Sequence, residues 1–225
     1  MRIAILHNRD SDLLEDDPGR EARKEVEQVA SVLAQELQGG DREVTLVPVD
    51  ADVFAFGPQL TAARPDVVMN LCESLAADSR GEMVIPALLE LLGIPYTGSG
   101  VMGSAIGMDK WRTKMIWLNA GIPTPRYRIL EGNEDWNNVV KDLGLPLIVK
   151  PAREGSTLGL TKVTAVSQMP AAYYLAARKY QDIALAEEFI SGAEYTARRS
   201  DGAPIDFFRI HIRKEHRIFT RRSRW

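Results

Sequence analysis

A lysine delivered by an apolar strand into a small-residue loop is the feature of this sequence best suited to chemistry. Leu147-Ile148-Val149-Lys150 runs into Pro151-Ala152-Arg153-Glu154-Gly155-Ser156-Thr157-Leu158-Gly159, and an extended pattern resumes through Val163. A strand-loop-strand clip of this composition can fold over a polyphosphate. Lys150 neutralises phosphate oxygens, while backbone N–H groups and the Ser156 and Thr157 hydroxyls donate to them. The spacing is not that of the Gly-x4-Gly-Lys-Ser/Thr loop, which opens a helix. Taken alone, a Gly-Ser loop after a lysine is as readily a plain hairpin turn.

Its neighbours in the sequence bear on that choice. Downstream, Leu185-Ala186-Glu187-Glu188-Phe189-Ile190-Ser191-Gly192-Ala193-Glu194 carries acidic side chains seven residues apart, at Glu187 and Glu194. Upstream, Pro95-Tyr96-Thr97-Gly98-Ser99-Gly100 is followed by Met108-Asp109-Lys110-Trp111-Arg112-Thr113-Lys114. Each cluster has an ordinary reading as well. Lys110 and Lys114, at i and i+4, suit a solvated helix face, and Glu187-Glu188 suits a charged strand edge that discourages aggregation.

The order of these segments resembles the ATP-grasp ligases, and within them the D-alanine–D-alanine ligase group, over residues 66 to 197. Several ordered motifs with similar gaps are far more specific than any one. The resemblance implies that Lys110 and Lys150 contact the phosphates of ATP and that Ser156, on the flexible loop, orients substrate and phosphate as the catalytic serine, with Thr157 beside it. Glu187 would accept from the adenine amino group. The backbone of Glu188 to Ile190 would line the base, with Phe189 or Ile190 sandwiching the ring, and Glu194 would hold the ribose hydroxyls. An acceptor-only carboxylate suits a two-hydroxyl ligand. The implied reaction is ATP-dependent joining of a carboxylate to an amine through an acyl phosphate, with Mg2+ bridging the phosphates. Small amino-acid or carboxylate substrates are implied, as are a role in building the peptidoglycan cell wall and the dimers common in that group.

Two departures from the family pattern bear on substrate and activity. The Gly-Gly-x-Ser-x-Glu loop after the first strand is replaced by His7-Asn8-Arg9-Asp10 and an acidic stretch; counting back along the following helix, Gly19-Arg20-Glu21 falls nearest, which makes Glu21 the candidate. The His-Gly…Gly-Glu-Asp-Gly segment is replaced by Asn70-Leu71-Cys72-Glu73…Arg80-Gly81-Glu82, so Glu73, Arg80 and Glu82 are candidate contacts for another zwitterionic or carboxylate ligand. As surface charges they need no function. Secondly, nothing in Asp201 to Trp225 matches the arginine and the Asp…Glu-x-Asn metal set expected further on. The carboxyl-terminal part reads as truncated, frame-shifted or divergent, and a non-catalytic ATP-binding fragment is the alternative function. A missing layer would expose an apolar sheet face, so low solubility or association is expected.

Composition bounds the rest. The chain has 225 residues, 45% hydrophobic and 26% charged, enough for one large or two small cores of a soluble globular protein. No apolar run approaches the ~18 residues of a membrane span, and Met1–Leu6 reads as a strand, too short for a secretory leader. Cys72 is the single cysteine, a small packed residue rather than a nucleophile; no disulfide framework exists, and the cytoplasm is the expected compartment. Three histidines show no metal-ligand spacing. Residues 198–225 hold nine basic residues against three acidic ones, whereas the preceding 197 hold 19 against 28. That acidic remainder opposes general attraction to nucleic acid, and no recognition motif is present.

The elements that must position these residues alternate. Strands are expected at Arg2–Leu6, Val44–Val49, Asp66–Leu71 and Ile94–Tyr96, with helices over Arg20–Leu37 and Glu82–Leu92. On the first helix Val26, Val29, Ala30, Leu33 and Leu37 share one face. Such alternation makes a parallel sheet with helices on both faces, its site beyond the carboxyl ends of the strands. Further on, helices are expected over Met108–Ala120, Glu134–Leu143 and Gln168–Tyr180, with Trp111 and Trp117 as packing residues. Strands are expected at Arg126–Leu130, the Lys150 segment, and Ile183–Ile190. The fold class is α/β: an N-terminal Rossmann-like domain (1–98), an incomplete α+β ATP-grasp module (99–197) and a basic tail (198–225).

Overall fold

The computed structural model describes residues 1–9, 20–50, 52, 55–76, 78–155, 157–198, 206–212 and 217–220. Contacts divide the chain into two compact units, Met1–Glu188 and Phe189–Trp225.

The first unit opens with a three-stranded parallel sheet in which β1 (Arg2–Asn8) lies between β2 (Glu43–Val49) and β3 (Val67–Asn70). Residues 3–8 are buried throughout, because helices cover both faces of this central strand. Its alternation sorts them. Ala4 and Leu6 pack with Phe56 and Leu60 of α2 (Phe56–Ala63) and with Ile85 and Leu89 of α3 (Val84–Leu91). Ile3 and Ile5 point the other way, onto Ala30 of α1 (Arg20–Leu37). The expected apolar face of α1 is corrected at one position. Val26 and Ala30 are buried, but Val29 is 50% exposed. At about 100° per residue Val29 falls some 60° to one side of Val26, at the margin of the stripe.

One sequence expectation fails here because of a proline. Residues 94–96 form no strand; Tyr96 makes a single bridge to Val68, and Pro95 contributes only its carbonyl, to the Val68 N–H. A residue without an N–H cannot continue a ladder. Helix α2 is absent from the sequence reading; its Pro58 lies in the first helical turn, where the missing N–H costs nothing.

The helix expected over Met108–Ala120 is α5 (Lys110–Asn119), and a further helix absent from the sequence reading, α4 (Val101–Met108), precedes it. Asp109 between them is extended, and its carboxylate accepts from the Arg112 N–H as the N-cap of α5. Trp111 is half-buried, but Trp117 is 42% exposed and does not fill the packing role expected of it.

The second sheet of this unit is antiparallel, in the order β4 (Tyr127–Leu130), β7 (Ala184–Glu188), β5 (Leu147–Pro151), β6 (Thr161–Val163). One face, bearing Leu130, Leu147, Val149, Val163, Ala184 and Ala186, packs with α6 (Trp136–Leu143) and α7 (Met169–Tyr173) to form a closed core. Where a continuous helix was expected to Tyr180, α7 passes into a π-helical turn over Tyr174–Lys179.

The second unit contains β8 (Glu194–Arg198), β9 (Asp206–Ile212) and β10 (Arg217–Thr220), antiparallel in the order β10-β9-β8. The alternation of arginine with apolar residues in the tail thus falls on strands. The parallel sheet followed by antiparallel sheet matches the α/β class expected from the sequence.

Candidate functional site

With one face of the antiparallel sheet committed to the core, period two assigns the other face. Tyr127 on β4 lies opposite Glu187 on β7, which in turn lies opposite Ile148 on β5, and Lys150 is two residues further along, opposite Leu185. Lys150 and Glu187 are therefore diagonal neighbours on one face, a separation long side chains bridge. The Lys150 ammonium donates to Glu187 Oε2 at 2.6 Å.

A second lysine completes this arrangement. Lys114, one turn beyond Lys110 on α5, is 3% exposed. Its ammonium pairs with Glu187 Oε1 at 3.0 Å, donates to Thr124 Oγ1 at 2.8 Å and lies 5.1 Å from the centre of the Tyr127 ring. A buried ammonium is tolerated only with such partners. A solvated helix face was the ordinary reading of the Lys110 and Lys114 pair in the sequence. The signal for Lys114 was the i, i+4 relation to Lys110, which puts both lysines on one side of α5.

Lys110 belongs to the same cluster from the loop side. Its backbone N–H donates to Ala152 O at 3.0 Å, and its ammonium reaches the carbonyls of Ala152 (3.4 Å) and Glu154. Partial burial, then the positive charge of Lys150, pull its pKa below the usual lysine value. Two ammonium groups thus hold the carboxylate of Glu187, and a third, that of Lys110, lies near enough for the charge of Lys150 to act on it. This cation-rich face is matched to a polyanion.

Beside Lys110 opens a cavity of about 500 Å3, lined by Asn70, Cys72, Glu73, Glu82, Ser104 and Arg153 among others. It lies beyond the carboxyl end of β3, where a parallel sheet places its ligands. Burial, then the Glu73 charge, pushes the Glu82 carboxyl up, and Glu73 is raised by its surroundings and by Glu25. The Cys72 thiol is pushed up to about 12, first by burial and then by Glu82, so it is no nucleophile at neutral pH.

Other residues singled out from the sequence lie elsewhere. Arg80 lines a smaller cavity of about 260 Å3 and is paired with Asp78, at 2.5 Å. Glu188 turns from the site: its carboxylate takes the Arg126 N–H at 2.9 Å and the Arg126 guanidinium at 2.8 Å, which holds it below the usual carboxylate range. Thr157 is exposed on the loop with φ 66°, a left-handed conformation that strains a β-branched residue by about 1–2 kcal/mol. Ser156 lies outside the described residues, as do the side chains of Glu21, on α1, and Glu194, on β8. Phe189 and Ile190 belong to the second unit, where they are 36% and 64% exposed. Among the described residues, no three His, Cys, Asp or Glu side chains gather into a group that could hold a metal ion.

Comparison with known proteins places this geometry. Residues 116–220 match the family model for the C-terminus of D-ala D-ala ligase, so the likeness continues past the last sequence motif into the basic tail. A D-alanine–D-alanine ligase from an Azoarcus species is 49% identical over 158 residues, 67% of this chain and 52% of that relative. One from Aromatoleum aromaticum is 60% identical over 124 residues, 54% of this chain and 40% of that relative. The chain therefore spans about half the length, or less, of these curated relatives. Among solved structures, the D-alanine–D-alanine ligase of Bacillus anthracis complexed with ATP superposes with a TM-score of 0.73 at 23% identity, covering 99% of this chain and 71% of that one. The Coxiella burnetii ligase gives 0.72 at 21%, covering 98% and 70%. Sequence likeness and shared fold agree: the chain belongs to the D-alanine–D-alanine ligase family of ATP-grasp proteins.

Proposed function

We propose that the lysine cluster on the antiparallel sheet binds ATP, and that the chain's activity is ATP-dependent ligation of a carboxylate to an amine. The observation that carries this reading is the Glu187 carboxylate held between Lys114 and Lys150, with Lys110 alongside. In the nucleotide complex, Lys110 and Lys150 turn to the phosphates, and Glu187 accepts from the adenine amino group. Lys114 stays buried and holds the carboxylate in place. The strand-end cavity with Glu73 and Glu82 takes the ammonium-bearing substrate beside the γ-phosphate. A carboxylate oxygen attacks the γ-phosphorus and ADP departs; the amine then attacks the acyl carbon, and the C–O bond to phosphate breaks. Positioning and stabilisation of anionic charge are what these residues supply. Ser156, Thr157, Glu194, Phe189 and Ile190 keep the roles that the family resemblance gives them. Magnesium has no gathered ligand set among the described residues, so no step is assigned to it. The division at residue 98, a cytoplasmic location and a homodimer belong to the same proposal.

Titration calorimetry with ATP tests it. Saturable binding is expected, weakened roughly ten- to a hundred-fold in Lys150→Met, the loss of one charge-assisted hydrogen bond. A folded protein that takes up no ATP at ~5 mM sinks the nucleotide reading. ADP release on adding amino acids then separates ligation from nucleotide binding alone.

A further inference from the structure

The π-helical turn after α7 places one acidic side chain with unusual economy. The wider turn ends at Lys179, Gln181 takes a left-handed conformation (φ 50°), and the Asp182 N–H reaches back to Ala177 O at 3.2 Å. Asp182 is thereby turned inward, its side chain 6% exposed. Its carboxylate accepts from the start of the phosphate loop and from the residue that leads into β7. Oδ2 takes the Arg153 N–H at 2.6 Å, and Oδ1 takes the Arg153 guanidinium and the Ile183 N–H, each at 2.7 Å. The far end of the loop rests on the same turn. A Cβ added to Gly159 would stand 2.8 Å from the Tyr180 ring and 2.7 Å from Pro151. Both ends of the loop are thus pinned by residues 180–182.

Arg153 passes this constraint onward. Its carbonyl, fixed by the clamp on either side, accepts from the Ser79 hydroxyl at 2.7 Å. Ser79 opens the helical turn Ser79–Gly81 that leads directly into Glu82, and that turn has no slack, because a Cβ on Gly81 would meet Leu75 Cβ at 2.6 Å. Ser79, Arg153 and Glu154 line both the 260 Å3 cavity and the 500 Å3 cavity, so the Ser79–Arg153 contact is part of the wall they share.

From this geometry we infer that Asp182, Arg153 and Ser79 are positioning residues: they tie the order of the phosphate loop to the wall of the substrate cavity, so that nucleotide on the loop and ligand in the cavity favour one another. The inference rests on the nucleotide reading of the loop for its second half. Its first half, the anchoring, stands without it. Coupling of this kind is reciprocal for binding affinities.

Hydrogen exchange read by mass spectrometry on the full chain tests the anchoring without nucleotide. Ser79→Ala is expected to speed exchange of the amides between Arg153 and Gly159 about five-fold, the weight of one hydrogen bond, with the melting temperature lowered by no more than about 4 °C. Asp182→Asn, which keeps shape but loses charge, is expected to give ten-fold or more; should it fail to fold, the serine variants decide. Ser79→Thr keeps the hydroxyl and is expected to restore the parent rate. Unchanged loop exchange in Ser79→Ala overturns the anchoring, and so does acceleration spread over the whole first unit. For the coupling, ATP affinity is expected to fall three- to ten-fold in Ser79→Ala and to recover in Ser79→Thr. Faster exchange with unaltered ATP affinity overturns the coupling alone. A parent protein that binds no ATP removes the nucleotide reading, and the coupling with it, while leaving the anchoring to the exchange result.

Discussion

Glu187 is the residue on which the site's electrostatics turn. Its side chain is 11% exposed, Lys114 is 4% and Lys150 is 20%, so the three charges interact with little screening from water. Such a group is worth little in net stability against well-packed apolar residues, but removing one member strands the others. Glu187→Gln leaves Lys114 with Thr124, the Tyr127 ring and a neutral amide in place of a carboxylate. The expected cost is about 3 kcal/mol, or a fall in melting temperature of roughly 6–12 °C for a domain of this size. Urea and thermal melts measure it. Adding Lys114→Met to the variant is expected to recover most of the loss, because the stranded charge is then gone. A Glu187→Gln protein that melts with the parent would show that Lys114 needs no counter-charge, against the account given of the site.

At the scale of elements, the order of strands and helices was legible, but the breaks within them were less so. The parallel sheet could be read because β1 alternates between two cores and α1 keeps its period. Lys150 and Glu187 could be placed together because both lie on strands, where a period of two fixes the face. What escaped was whatever depends on partners distant in sequence. Lys114 looks like any surface lysine until β7 supplies Glu187, and α4, with Gly103, Ser104 and Gly107 among its eight residues, does not read as a helix. The π-helical turn at Tyr174–Lys179 has no sequence signature, yet it sets the position of Asp182. Asp109 offers a direct check. It is 4% exposed, caps α5 through the Arg112 N–H and pairs with the Arg112 guanidinium. Asp109→Ala should lose about 1–2 kcal/mol and fray the turn that carries Lys110. Faster amide exchange over Lys110–Thr113 would accompany the lower melting point. An unaltered first turn would mean that the contacts between Lys110 and the loop carbonyls suffice to hold it.

For the whole molecule, the distribution of apolar surface matters more than its amount. No helix among the described residues is long and apolar enough to cross a membrane, yet three large apolar side chains stand out in one region. Leu91 is 84% exposed, Leu92 52% and Met102 73%. Leu91 and Leu92 close α3 and Met102 lies in the first turn of α4, two elements that Glu90 ties together by accepting from the Tyr96 hydroxyl at 2.7 Å and the Val101 N–H at 3.4 Å. The sequence led to an expectation of association through an uncovered sheet face; these exposed helical side chains are a second candidate surface. A second copy of the chain meeting it would remove that apolar area from water, which favours association at about 25 cal/mol per Å2 before entropic costs. Sedimentation velocity at micromolar concentrations is expected to give a dimer for the parent chain and a monomer for Leu91→Glu/Met102→Glu. Both substitutions lie on exposed positions, so the variant's melting curve should be little altered, which separates lost association from lost folding. If the parent sediments as a monomer at about 50 μM, the patch does not drive self-association, and the dimer implied by the family likeness does not extend to this chain.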